Sequence, residues 1–386
     1  MELRGAVVHY QVAERATGPA QLGLTSAARD HPALSTRTWD LARVVAAGVA
    51  LLLAACARTT ASTTPSPAAS AVLDSATAPA PPPARWLGLL GEYGDGASWR
   101  VVAEYDGKLR LVDTALRVTP LTERGDADFV TDSDGVPARF SRDAGGQATD
   151  LRIGDLRLAR NRIEPSAGTN QLRVTPVRSV DSLRVEALAA SPPAEAGPFV
   201  PNDLVELVRL DPSIKLEIRY ATTNNFLGTR FYDEARAFLQ RPAAEAVVRA
   251  HRALRPYGYG LLIHDAYRPW YVTKMFWDAV PLDTRWLVAN PAQGSRHNRG
   301  AAVDLTLYEL ATGQPVEMPS TYDESTGRAY AEYPGGTSRQ RWHRALLSRA
   351  MVAEGFRINL QEWWHFDHST WRSYSINNVP FARIAR

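Results

Sequence analysis

The spacing of hydrophobic and polar residues between Trp86 and about Arg160 is typical of short β-strands. Apolar and polar positions alternate in the runs "SWRVVAEY", "KLRLVDT", "ARFSRD" and "DLRIGDLRLAR". Turn dipeptides separate them, namely Asp95-Gly96, Asp106-Gly107, Asp134-Gly135 and Gly145-Gly146. Alternation with Asp-Gly turns indicates antiparallel hairpins. We therefore predict a small all-β domain over residues 86–161. The pattern leaves open whether it binds a ligand, binds the cell wall or acts as a spacer.

From residue 201 to residue 386 the pattern mixes helical and strand periods. "IKLEIRYAT", "GLLIHDAY" and "FRINLQEWWHFDH" read as strands. A helix is expected to begin at Pro242 and end near Gly258, "WYVTKMFWDAV" has a helical period, and Ser338 is expected to cap a helix that ends at Gly355. This mixture predicts an α+β fold, with helices packed on a mostly antiparallel sheet. The proline-rich residues 162–200 are expected to be a connector with room for one more strand.

An apolar run near the N-terminus, Val44–Ala55, ends at the single cysteine, Cys56. It is too short for a membrane-spanning helix, which needs about 20 residues. With Arg37 and Arg43 before it, the run is typical of a secretory signal peptide. "LAAC" also resembles a bacterial lipobox, so residues 1–56 are predicted to be a leader and lipoprotein signal peptide with Cys56 lipidated. About 40 residues precede the apolar run, which indicates that translation starts further downstream.

The Ala/Ser/Thr/Pro-rich residues 57–85 are predicted to be a flexible tether. Ala57, rather than Asp, follows the cysteine, a pattern that resembles outer-membrane sorting. We expect a periplasmic protein held to the outer membrane by its lipid anchor alone.

The composition excludes some kinds of site and argues against one class of partner. A single cysteine excludes an intrachain disulfide and a cysteine-based zinc site. The net charge is +3 and the arginines are scattered rather than clustered, which argues against a nucleic-acid partner.

Four polar residues lie at the ends of predicted apolar strands: His297, Asp304, Glu362 and His365. Charged groups in such strands are costly unless they are paired or bind a metal. Two imidazoles and a carboxylate suit a catalytic zinc, and a second carboxylate suits a general base. Strict alternation would point Glu362 and His365 to opposite faces, so this reading requires a β-bulge between them. The spacings alone leave the metal site open.

Two motifs, "SRHNRGAAVDLTL" and "EWWH", resemble those of the zinc D-alanyl-D-alanine metallopeptidases, and most closely the dipeptidases of the VanX type. "IRYATTNNFLG", "HDAYRP" and "MPSTYD" add to the resemblance, which covers about 180 residues in five ordered motifs. The anchor, the tether and the β domain lie outside it.

The resemblance implies a zinc enzyme that hydrolyses the dipeptide D-Ala-D-Ala. Because an exported enzyme cannot reach the cytosolic pool of wall precursors, we expect it to act in the turnover or salvage of cell-wall fragments. His297, Asp304 and His365 would be the zinc ligands. Glu362 would take a proton from water and deliver one to the leaving amine. Arg268 would stabilise the oxyanion.

The resemblance places two further residues near the ends of the substrate, Ser295 and Asp323, and a carboxylate at Asp323 could hold the free ammonium. Tyr220 and Asn225 could contact substrate or form a wall. Asp265 is expected to cap the turn that aims Arg268.

The remaining candidate residues receive structural interpretations. We expect His264 to bond a backbone carbonyl and His368 to lie behind the ligands or at the surface. His251 and His343 are expected to be solvated on helices, and Trp363 and Trp364 to be core residues. Gly300 is expected to let the chain turn into the strand.

Two alternative functions stay open. One is a D,D-carboxypeptidase or related wall peptidase with the same zinc site. The other is a non-catalytic wall-binding lipoprotein, which the complete set of candidate site residues disfavours.

Overall fold

The computed structural model describes residues 77–161 and 173–384. The predicted leader, Cys56 and most of the predicted tether lie outside the described residues.

The first part is an antiparallel meander of eight consecutive strands that follow a short helix, α1 (Ala84–Leu87). The strands are β1 (Gly91–Tyr93), β2 (Arg100–Tyr105), β3 (Lys108–Asp113), β4 (Val118–Glu123), β5 (Asp128–Thr131), β6 (Pro137–Arg142), β7 (Ala148–Ile153) and β8 (Leu156–Ala159). A bridge between Tyr93 and Arg160 joins the first strand to the end of the last. The sheet therefore closes into an up-and-down barrel, which leaves no long free edge. The prediction of an all-β region is confirmed.

Turn chemistry explains the hairpins. Asp106 and Gly107 have φ of 49° and 75° and connect β2 to β3. Two positive φ values in a two-residue loop favour this dipeptide. The interior of the barrel is filled by apolar side chains, among which Tyr93, Phe129 and Phe140 pack edge to face.

The second part mixes helices and strands. The helices are α2 (Val180–Ala189), α3 (Leu207–Leu210), α4 (Arg241–Leu254), α5 (Trp270–Ala279) and α6 (Ser338–Ala353). The strands are β9 (Leu204–Glu206), β10 (Lys215–Leu216), β11 (Phe238–Gln240), β12 (Tyr259–Asp265), β13 (Ala302–Glu309), β14 (Phe356–Asn359) and β15 (Glu362–His368). Short 3-10 helices include Arg219–Ala221, Arg255–Tyr257, Leu282–Leu287, His297–Arg299, Gly327–Ala329, Ser369–Ser373 and Phe381–Arg383.

Five of these strands form the main sheet in the order β10-β12-β13-β15-β14. Only the β10–β12 pair is parallel. β9 and β11 form a separate antiparallel pair. The central strands β12 and β13 are buried along almost their whole length, and the helices α4, α5 and α6 contribute to the same core. This arrangement matches the expected α+β layout.

Several predicted elements differ from the structure. "IKLEIRYAT" is a strand only over Lys215–Leu216, because the chain then turns into a 3-10 helix that buries Tyr220. The further strand expected in the connector is wrong for its described residues, 173–200, which contain α2 (Val180–Ala189) and no strand. Leu183 and Ala187, four residues apart, face the core there, which is a helical spacing. The prolines on both sides of this short segment favoured the interpretation as a connector.

At α6 the cap is Thr337 rather than Ser338. Thr337 and Gln340 form a reciprocal capping box, and Ser338 is the first helical residue. Within the described residues, no helix combines the length and the apolar character needed to cross a membrane.

Candidate metal centre and active site

Three side chains from two neighbouring strands and the turn before one of them meet at the sheet. Asp304 on β13 pairs directly with His365 on β15, and His297 lies in the 3-10 helix just before β13. His365 Nδ1 is 2.9 Å from Asp304 Oδ1 and 3.1 Å from His297 Nε2. One ligand atom from each residue lies within 4.8 Å of the other two, and all three residues are buried. The structure thus brings together the three predicted ligands.

Gly300 makes the turn that joins His297 to the strand. Its φ is 66°, the left-handed conformation that glycine adopts readily, as predicted. A Cβ at this position would lie 2.6 Å from Leu204 Cδ2, so the space is restricted as well.

The far side of each candidate ligand is held by another group. His297 Nδ1 is 2.7 Å from the Ala266 carbonyl oxygen, which can only accept, so Nδ1 carries the proton and Nε2 faces the cluster. His365 Nε2 lies 3.0 Å from Asp367 Oδ1, which orients its ring in the same way. Tyr322 donates its hydroxyl proton to Asp304 Oδ2 at 2.9 Å. Such outer partners are typical of metal ligands.

Interactions within the cluster shift the pKa values of Asp304 and His365 in opposite directions. Burial alone would raise the pKa of Asp304, but the positive charge and hydrogen bonds of His297 and His365 lower it well below its ordinary value. Burial would lower the pKa of His365, but hydrogen bonds to Asp304 and Asp367 raise it to about 10. The cluster therefore favours a positive charge between Asp304 and His365, which a proton or a metal cation can supply.

A bulge in β15 brings Glu362 to the same site. Ile358 pairs with Phe366, whereas the next residue, Asn359, pairs with Glu362. The extra residues on β15 confirm the predicted bulge and place Glu362 Oε2 3.8 Å from His365 Nδ1. Asn359 Nδ2 donates to the same oxygen at 2.9 Å, and the Glu362 side chain is 42% exposed. It is the accessible carboxylate beside a buried cluster.

Asp265 accepts from the Ala266 N–H at 2.9 Å, in keeping with the predicted turn cap, and it also holds Arg268 directly, which was not predicted. Asp265 Oδ2 accepts from Arg268 Nε at 3.0 Å and from Nη2 at 2.7 Å. The guanidinium carbon lies 5.3 Å from the Tyr220 ring centroid and 5.0 Å from that of Phe276. Asp265 also accepts a hydrogen bond from Tyr232 at 2.7 Å. The guanidinium is therefore buried and fixed in direction, with Nη1 turned away from Asp265.

The two candidate substrate-end residues differ in setting. Asp323 has a φ of 59° and accepts a hydrogen bond from the Tyr220 hydroxyl at 3.0 Å. Burial and the nearby charge of Asp304 raise the pKa of Asp323 well above its ordinary value. Ser295 Oγ accepts from the His297 backbone N–H at 3.2 Å, within the turn that carries His297.

The other histidines are structural. His264 Nδ1 lies 3.4 Å from the Glu217 carbonyl oxygen, as expected, and His368 is buried beside Thr370. The expectation that His251 and His343 are solvated is wrong, because both are buried on the inner faces of α4 and α6.

Trp363 and Trp364 are core residues, as expected. Asn225 donates to three backbone carbonyls, those of Arg219, Thr222 and Thr229, which favours the wall-forming interpretation.

Two residues that contact the cluster were not singled out in the sequence. Asp367 follows His365 by two positions, so alternation along the strand places both on one face, a usable signal. Tyr322 lies in a loop far from Asp304 in the chain, and no local pattern points to their contact.

The comparisons with known proteins agree with this site. The sequence profile of the peptidase family described as "D-ala-D-ala dipeptidase" matches residues 201–379. The D-alanyl-D-alanine dipeptidase of Escherichia coli K12 is 34% identical over 181 residues, which cover 47% of this chain and 92% of the relative. That of Enterococcus faecium is 32% identical over 40% of this chain and 85% of the relative. That of Streptomyces coelicolor is 30% identical over 43% and 91%. From residue 201 onward the protein is built as a member of this peptidase family, and the chain belongs to the D-Ala-D-Ala dipeptidases.

Proposed function

We propose that the protein hydrolyses D-Ala-D-Ala to two D-alanines, with a zinc ion held by His297, Asp304 and His365. The observation that carries the proposal is the convergence of their three ligand atoms within 4.8 Å, inside the region that matches the dipeptidase family. Two imidazole nitrogens and one carboxylate oxygen are a ligand set of catalytic zinc, which keeps a further position open. The outer hydrogen bonds of all three residues fit this role.

Zinc in this position would supply a Lewis acid and lower the pKa of a water molecule to about 7. Glu362 is the proposed general base and acid, because it combines an accessible carboxylate with a position 3.8 Å from His365. Asn359 holds one of its oxygens, which restricts the directions in which the carboxylate can exchange a proton.

Arg268 is the proposed stabiliser of the negative charge that develops on the peptide oxygen. Asp265 occupies Nε and Nη2, so Nη1 is the nitrogen left to face substrate. A buried, pre-oriented donor stabilises developing charge more than a mobile donor in water does.

Asp323 is the proposed anchor for the substrate ammonium. Burial, and then the charges of Asp304 and Glu362, raise the pKa of this carboxylate. A substrate ammonium would supply a compensating positive charge. Ser295, in the turn that carries His297, is proposed to lie near the other end of the dipeptide.

The test is an assay of the purified full chain with zinc against D-Ala-D-Ala, L-Ala-L-Ala and a pentapeptide ending in D-Ala-D-Ala. We expect the free D,D-dipeptide to be hydrolysed much faster than the other two substrates. Preference for the pentapeptide would make the protein a D,D-carboxypeptidase, and no hydrolysis of any of them would leave the wall-binding alternative.

A further inference from the structure

The loop between β13 and α6, residues 310–337, reaches from the candidate site to the barrel. It carries Tyr322 and Asp323 at the site. Connections of this length in compact domains are uncommon and are often functional. Its last residues lie against strands β2 and β3, so a loop that reaches the candidate site also contacts a region outside the family match, which begins at residue 201.

An apolar contact joins loop and barrel. Tyr333, which is 2% exposed, packs with Val101, Ala103 and Val112. Val102, the residue between the first two, belongs to the barrel interior. Because side chains alternate along a strand, Val101 and Ala103 point outward, and the loop covers them.

Three hydrogen bonds continue the contact. The Glu104 N–H donates to the Gly336 oxygen at 3.0 Å, and the Tyr105 hydroxyl donates to the Pro334 oxygen at 2.7 Å. The Asp106 N–H donates to Ser338 Oγ at 2.9 Å. The end of the β2–β3 hairpin therefore holds three successive parts of the segment that leads into α6.

The Glu104 carboxylate is the charged part of this junction, and the residue is 1% exposed. Its two oxygens accept from the Ser338 N–H and the Gly107 N–H, each at 2.7 Å. A carboxylate at the first turn of a helix accepts from a free N–H and interacts favourably with the positive end of the helix dipole. The Arg341 guanidinium lies over the Tyr105 ring at 3.6 Å and donates to the Glu104 carbonyl oxygen.

The same loop is attached to the strands of the site. The Ala331 N–H donates to the Leu360 oxygen at 3.0 Å, two residues before Glu362. Ser320 Oγ accepts from Trp363 Nε1 at 2.7 Å. The loop is thus fixed at one end by the sheet and at the other by the barrel, with Tyr322 and Asp323 beside the sheet attachment.

We propose that the barrel is a positioning element of the active site: through Tyr333 and Glu104 it holds the 310–337 loop so that Asp323 receives the free ammonium of the substrate. This rests on the proposed function, because it assigns Asp323 as the ammonium anchor. Neither Tyr333 nor Glu104 touches substrate, and both act through the loop.

Two full-length variants test the proposal, Tyr333→Ala and Glu104→Gln, with Tyr333→Phe as the matched control that keeps the ring. Each is assayed with zinc on D-Ala-D-Ala and on N-acetyl-D-Ala-D-Ala, which lacks the ammonium. Misplacing a binding group by about 1 Å costs up to roughly a hundredfold in rate, so kcat/KM for the free dipeptide should fall by about ten- to a hundredfold. The value for the acetylated substrate and the zinc content should stay as in the parent. Tyr333→Phe keeps the apolar contact but loses the hydroxyl that bonds Glu92 in β1, so its values should lie closer to those of the parent than the values of Tyr333→Ala do.

Amide hydrogen exchange gives a second readout that needs no activity. Residues 317–331 should exchange faster in both variants, while β13 and β15 keep their protection. Unchanged exchange and unchanged preference for the free dipeptide would overturn the proposal and leave the barrel as a spacer. An equal loss on both substrates would also overturn it, since that result means general damage. If the parent cleaves neither substrate, the proposed function fails, while exchange still decides whether the barrel holds the loop.

Discussion

At the scale of single residues, the groups behind the candidate ligands are as informative as the ligands. Asp367 accepts from His365 Nε2 and forms an ion pair with Arg296 at 2.8 Å. This arrangement fixes the imidazole so that Nδ1 faces Asp304. Loss of such an outer partner typically weakens metal binding by about 10- to 100-fold.

We therefore expect Asp367→Ala to weaken zinc binding by about 10- to 100-fold. Competition with a chromophoric chelator measures the change. Asp203→Ala, which removes an exposed carboxylate paired with Arg241, is the control and should leave the affinity unchanged. Equal affinity in the two variants would contradict the orienting role of Asp367.

Mutation should distinguish the roles of the proposed ligand His365 and the proposed base Glu362. His365→Ala should lose zinc, because it removes one of three buried ligand atoms. Glu362→Ala should keep zinc and lower kcat by about 10²- to 10⁴-fold, the usual contribution of a general base. Metal analysis with steady-state kinetics tests both. Loss of zinc in Glu362→Ala, with normal turnover once zinc is resupplied, would exchange the two assignments.

His251 should make stability depend on pH. Its Nδ1 accepts from the Leu261 N–H at 3.0 Å, its Nε2 lies 2.9 Å from Ser213 Oγ, and burial lowers its pKa from 6.5 to about 4. As pH falls from 6.5 to 4, the unfolded chain binds a proton that the folded chain does not, so the free energy of unfolding decreases. One group with this shift contributes roughly 3 kcal/mol, all of it lost below the folded pKa.

Urea unfolding at pH 7, 6 and 5 measures this effect. In His251→Asn, whose side chain does not titrate, the decrease between pH 7 and pH 5 should be smaller than in the parent, although its stability at pH 7 is lower. An identical decrease in both proteins would show that other groups cause it.

At the scale of elements, local patterns predicted the strands and helices that position the site. The Asp-Gly hairpins and the helix that ends near Gly258 follow from neighbouring residues, whereas the bulge before His365 was inferred from the need to bring Glu362 and His365 to one site. The contacts of Tyr322 with Asp304 and of Tyr333 with the barrel could not be predicted, because they join distant parts of the chain through loops without period. His251 was misjudged because its ring is satisfied by Leu261 in the following strand, β12, and by Ser213, which the sequence of α4 does not reveal.

The turn between His297 and β13 should tolerate little change. Gly300→Ala puts a Cβ at φ 66° and within 2.6 Å of Leu204 Cδ2, so we expect a loss of about 1–3 kcal/mol in the free energy of unfolding, with weaker zinc binding. Gly327→Ala is the matched control, since its added Cβ would have no heavy atom within 4 Å. Chemical denaturation of the two variants makes the comparison, and similar stabilities would contradict strain at Gly300.

At the scale of the whole molecule, the proposed export and lipid anchor depend on Cys56, which lies outside the described residues. Because "LAAC" resembles a lipobox, we expect mass spectrometry of the native protein to find an acylated N-terminus at Cys56. More than one acyl chain is expected there, since stable membrane binding requires it. Cys56→Ser should release an active, soluble periplasmic protein. An unmodified chain that begins upstream of Arg37, or a variant that stays with the membrane, would contradict the anchor and the proposed turnover of wall fragments outside the cytoplasm.

The closure of the barrel determines how tension would pass through the molecule. The chain enters at β1 and leaves after β8 side by side, joined by hydrogen bonds from the Gly94 N–H to the Ala159 oxygen and from the Asn161 N–H to the Glu92 oxygen, each of 2.8 Å. The Arg160 guanidinium adds bonds of 2.7 Å to the Gly88 and Leu90 oxygens. A pull between the residues before and after the barrel loads these hydrogen bonds directly. The hairpin of β2 and β3 is attached to the 310–337 loop and shares the load only through that contact. In a protein pulled by its N-terminal end, we therefore expect the hydrogen bonds between the two ends of the barrel to break before the contact between the barrel and the 310–337 loop.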